Sequence, residues 1–168
     1  MRWDDLFEDL QAQFAAAERV VDDVRVVELA EAEVASTSFS DRWRARRGEQ
    51  LTLRLRDGSD RSGTVVDVAT AWIVIGTGER RSLVPRHAVA VAWSLAGAAP
   101  EPSRVERALG LGHVLRALAH EGSAVVLHTL AGAHRGRLVR VGADHCDLIT
   151  VAGTITVPWD ALLSVDSA

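Results

Sequence analysis

The sequence predicts a mainly β protein with helices: two tandem five-stranded barrels, each preceded by a short helix, plus a long N-terminal helix. Three observations carry that expectation. Short apolar segments punctuated by turn residues recur from about residue 50 onward. The chain resembles itself when Gly63 is set on Gly136, an offset of 73. Before residue 25 the apolar residues keep a heptad rhythm instead. At 168 residues, 48% apolar and 25% charged, the chain is too apolar for disorder and long enough for one sizeable core or two small ones. The expected divisions are an acidic N-terminal helix over 1–38, a first barrel over 39–96, a linker over 97–102, and a helix plus second barrel over 103–168.

In the first segment, Trp3, Phe7, Leu10, Phe14, Ala17, Val21 and Val24 alternate steps of four and three, a seam of about three heptads. Asp4, Asp5, Glu8 and Asp9 fall in the first turns, where carboxylates complement the helix dipole. Ser36-Thr37-Ser38 reads as the break. Such a seam serves either as an oligomerisation or partner helix, through Trp3, Phe7, Leu10, Phe14, Val21 and Val24, or as a helix laid on the protein's own barrels.

Residues 41–47 then predict a short helical turn stopped by Gly48. Leu51, Leu53 and Leu55 alternate with Thr52, Arg54 and Arg56 as a half-buried strand, and Asp57-Gly58 supplies the hairpin turn. Further strands follow at 63–68, 72–75, 82–84 and 88–91, with Pro85 at a strand end. After the Pro-containing linker, Ser103 and Glu106 form a capping-box pair that opens a helix, which Gly110 and Gly112 divide. In the repeat alignment Val68 falls on Val141, Ile73 on Cys146, Val84-Pro85 on Val157-Pro158 and Ala88 on Ala161.

Charge is unevenly placed. Residues 1–40 carry three arginines and ten carboxylates, a net of −7; residues 41–95 carry ten and six, +4; residues 101–168 carry six and seven, −1. With all 19 cations arginine and an overall charge of −4, the chain lacks the broad basic face that duplex DNA requires. The basic middle leaves room for a local anion site, although Arg54 and Arg56 equally suit a solvated strand face.

The run Leu51-x-Leu53-x-Leu55-x-Asp57-Gly58, then Gly63-x-Val65, then Val84-Pro85-Arg86-His87-Ala88-Val89 resembles the Sm-like (SH3-type) fold, and in particular the bacterial Sm-like RNA chaperones of the Hfq type. In those proteins the last stretch has the form Val-Tyr-Lys-His-Ala-Ile, and its basic residue and histidine line a uridine-binding ring. The resemblance implies Arg86 and His87 at the corresponding positions, with Arg54, Arg56 and Trp72 as neighbouring nucleic-acid contacts. The sequence departs from the family where an Asp is expected about six residues after the strand-opening Gly: Ala69 and Gly142 stand there. In the second copy Trp159-Asp160 replaces Arg86-His87. The whole chain also resembles an uncharacterised family of high-GC Gram-positive bacteria, a likeness that implies no activity.

Catalytic patterns are missing: no P-loop, no Gly-x-Ser-x-Gly elbow, and histidines whose spacings match no recurrent metal site. Cys146, the one cysteine, excludes a disulfide framework and aligns with a core position. An acidic start and no long apolar run predict a cytoplasmic protein without a membrane segment. The reading is therefore a non-enzymatic Sm-like interaction, scaffold or regulatory module without metal or cofactor. It self-associates or binds a protein partner through the N-terminal helix or barrel edges; the alternative is an RNA-binding post-transcriptional regulator that uses the first barrel on single strands.

Overall fold

The structure is a computed structural model and describes residues 28–168. The chain forms two units, Met1–Ser38 and Phe39–Ala168. In the first, residues 28–36 are helical (α1). The Ser36 and Thr37 hydroxyls donate to the Glu33 carbonyl at 2.8 and 3.0 Å, taking an acceptor that the helix end leaves over. The heptad seam from Trp3 to Val24 lies outside the described residues.

The second unit runs α2 (Phe39–Arg44), β1 (Gln50–Leu55), β2 (Asp60–Val68), β3 (Trp72–Thr77), β4 (Arg80–Pro85) and β5 (Val89–Trp93). Then come α3 (Arg104–Ala108), α4 (Leu111–Glu121), β6 (Ala124–Thr129), β7 (Gly132–Val141), β8 (His145–Thr150), β9 (Gly153–Pro158) and β10 (Leu162–Ser167). A single 3-10 turn joins the last two strands of each half, over Arg86–Ala88 and Trp159–Ala161. Each half thus repeats one plan, and the repetition reaches fine detail. The β-bulge between Val65 and Asp67 recurs between Leu138 and Arg140. Gly63 and Gly136 recur for one reason: a Cβ on either would fall on a carbonyl oxygen of the neighbouring strand, that of Gly76 or of Ile149.

Two separate five-stranded barrels are not what forms. All ten strands make one open antiparallel sheet in the order β5-β1-β2-β3-β4-β10-β6-β7-β8-β9, joined at its middle by β4 and β10, with Val165 opposite Leu83 and Asp166 opposite Ser82. The physical reason lies in two strands with apolar side chains on both faces. Leu83 on β4 enters the second half's core while its neighbour Val84 enters the first. On β10, Leu162 and Val165 serve the second core and Leu163 the first. Such strands are stable only when both faces are covered, so each half must lend its last strands to the other. Ala69 and Trp72 likewise belong to the second core although they stand in the first half.

Helices close the two cores. From α2, Trp43 is fully buried in the first core and its indole N–H donates to the Ala69 carbonyl at 2.9 Å. Ser103 and Glu106 make the reciprocal capping box at α3, and the chain breaks at Gly110 before α4. That break leaves the Leu109 carbonyl free to accept the Trp72 indole N–H at 2.7 Å. Leu111 and Leu115 of α4 fill the second core. The 97–102 segment has no helix or strand, but it is tied to α2: the Ala99 N–H reaches the Asp41 carbonyl at 2.8 Å, and Arg44 donates to the Pro100 carbonyl at 2.9 Å.

Candidate functional site

The five residues expected to bind nucleic acid do not form one open surface. Arg54 lies on the outward face of β1, where its Nε and one Nη grip both Asp60 oxygens at 2.8 and 3.0 Å. Its guanidinium also stands 5.1 Å from the Trp93 ring centre. That pairing holds the Asp60 carboxyl below the usual aspartate range and pushes the Arg54 guanidinium still higher. Arg56 and Arg86 are exposed. Trp72 corrects the expectation of a base-stacking platform: it is 5% exposed and its indole N–H is already engaged. Its place beside Ala71, on a strand whose two faces serve two cores, buries it.

His87 has a different task. Its Nε2 donates to the Leu162 carbonyl at 2.9 Å, so the histidine singled out from the first half latches the β4–β10 junction. Around that junction a polar cluster gathers on Asp166. Ser82 donates to one carboxylate oxygen at 2.5 Å, while His128 Nε2 and Arg61 lie 3.0 and 3.5 Å from the other. Arg61 also donates to the buried Ser164 hydroxyl at 3.1 Å, and the Arg81 backbone N–H donates to Ser167 at 3.0 Å.

These contacts bring together β2, β4, β6 and β10, strands from both halves. Sequence reasoning missed the cluster because Arg61, Ser82, His128 and Asp166 lie on four strands far apart in the chain and form no local motif. The available signal was the polar Ser164 and Asp166 interrupting an otherwise apolar last strand.

The sheet ends carry the other distinctive surface. β5 and β9 each pair on one side only. Ala90, Val91 and Trp93 on β5, and Thr154 and Thr156 on β9, are exposed. Neither strand contains a charged residue. Pro85, at the end of β4 inside the junction, is fully buried, whereas its repeat counterpart Pro158 on β9 is exposed.

Chemistry at the remaining singled-out groups is muted. Burial, aided by Asp147, pushes the Cys146 thiol up to about 11, which leaves it neutral at physiological pH. Among the described residues no group of three or more His, Cys, Asp or Glu side chains is placed to hold a metal ion. No described helix is long and apolar enough to cross a membrane. No family model and no curated protein matches the chain.

Proposed function

We propose that this protein is a non-enzymatic interaction module that self-associates edge to edge, β9 of one copy pairing with β5 of the next. One observation carries the reading. The internal β4–β10 junction joins the fourth strand of one half to the fifth strand of the other, and β9 and β5 are the fourth and fifth strands still open. Uncharged edges support it, since edges that must stay single are commonly blunted by charge. By the repeat, the Ser82–Asp166 pair of the internal junction becomes Ile155 against Trp93 between copies, an apolar contact in place of a polar one. Head-to-tail pairing of this kind closes into a ring or continues as a filament, according to the rotation per copy.

The element order within each half, with its leading helix, a glycine at the close approach inside the second strand and the tight 3-10 link, is also what supports the likeness to Sm-like proteins. The RNA-binding alternative has less behind it, because Trp72 is buried and Arg54 and His87 are engaged within the fold.

The test is the mass of the full chain in solution by light scattering. The expected result is an oligomer that Val91→Lys with Thr154→Lys dissolves to single chains that still unfold cooperatively, both side chains being exposed. A single-chain mass for the unaltered protein refutes the proposal, as does an oligomer indifferent to both lysines.

A further inference from the structure

A groove of about 550 Å³ crosses the β4–β10 junction, with Ile75 and Val126 among its apolar walls. Arg61 on β2, Arg80 on β4 and Arg135 on β7 line it, and Arg81 on β4 borders it, its backbone N–H on Ser167. Two carboxylate side chains share the groove, and both are committed. Asp60 is gripped by Arg54, and Asp166 accepts from Ser82 with Arg61 and His128 alongside. Arg80 and Arg135 make no ion pair or side-chain hydrogen bond among the described residues. The Arg81 side chain lies on the other face of the sheet, over Gly76 beside Val66, with one Nη fixed by the Gly78 and Arg80 carbonyls at 2.7 and 2.9 Å. The Arg61 Nε is buried without a partner. Elsewhere in the unit many arginines are neutralised by a nearby carboxylate, as Arg44, Arg46, Arg47, Arg54, Arg107 and Arg140 are. Here the Arg80 and Arg135 guanidiniums line one hollow with no side-chain carboxylate of their own.

From this geometry we infer that the groove binds a compact oligophosphate, a di- or triphosphate, held by Arg80 and Arg135 with Arg61 beneath. Guanidinium forks match phosphate oxygens bidentately, and a low-dielectric wall strengthens each pair. The volume lies in the range of small-ligand sites and exceeds what one orthophosphate fills. No Phe, Tyr or Trp lines the groove, and its imidazole, His128, is held against Asp166, so the phosphates rather than a base are what it recognises. Because the walls come from both halves, occupancy clamps the junction and stabilises the whole unit by mass action.

Titrating the full chain with sodium tripolyphosphate in low salt, read by calorimetry and by melting temperature, tests this. Saturable binding with a raised melting temperature is expected. Arg80→Gln with Arg135→Gln should weaken it at least about tenfold, each lost charge-assisted contact being worth about that much. Arg86→Gln with Arg104→Gln removes the same charge outside the groove and should leave affinity within about twofold. The unliganded melting temperature reports whether either pair is folded. Absent binding, or equal weakening by both pairs, overturns the inference. So does an oligouridylate that binds and is not displaced by tripolyphosphate, since the site then reads a strand and not a phosphate cluster.

Discussion

Leu83→Ala is the sharpest probe of how the two halves depend on each other. Leu83 stands on β4, in the first half's sequence, yet its side chain is 4% exposed inside the second half's core. Truncation removes three carbons from a site walled by Leu127, Leu162 and Val165 and leaves a cavity there. Lost transfer and cavity terms together cost about 2–5 kcal/mol. For a unit of this size, at about 3–5 °C per kcal/mol, melting should fall by roughly 10 °C. The assay is native-state hydrogen exchange at β1 and β8, strands that feed different cores, alongside thermal unfolding. Protection should decline equally at both, in one cooperative transition. Val66→Ala, on the outer face of β2 and 45% exposed, should stay within about 0.5 kcal/mol of the unaltered protein. Loss of protection confined to one half, or two resolved transitions, would show that each half holds itself together and would sink the shared-sheet argument.

Two further outcomes follow from the repeat and the core. Gly136→Ala must push β7 from β8, because the new methyl meets the Ile149 carbonyl; a loss of about 1–3 kcal/mol in denaturant unfolding is expected, and a neutral result would contradict the close approach. Cys146, with its thiol at about 11, holds roughly one part in a thousand as thiolate at pH 8, so a disulfide reagent should label it only through opening of the core. Labelling should quicken in Leu83→Ala by the same factor as the stability loss, and labelling of the native protein at the rate of a free thiol would refute the assignment.

Much of the secondary structure was legible because local rules decide it. The Leu51-Leu53-Leu55 alternation, the Asp57-Gly58 turn, the Ser103–Glu106 box and the break at Gly110 all act within a few residues. The 73-residue offset also placed bulges and glycines in register. What alternation could not reveal was partner choice. A strand such as Leu162-Leu163-Ser164-Val165, buried at every position, offers an apolar face to each side, and the pattern alone does not say which neighbour takes which. Reading it as the closing strand of its own barrel followed from treating the linker as a boundary. The groove and the Asp166 cluster were illegible for the same reason: they exist only where β4 and β10 meet.

The shared strand has a further consequence for biosynthesis. A ribosome delivers the first half's strands well before β10, so the nascent chain carries β4 paired on one edge only, with Leu83 uncovered and the place of Leu163 empty, until the tenth strand has been made. High sequence separation between β4 and its partner makes that closure slow. In the interval an open β4 is a template for other nascent copies. Yield in a fast-translating host should therefore depend more on chaperone supply than the stability of the finished unit alone implies.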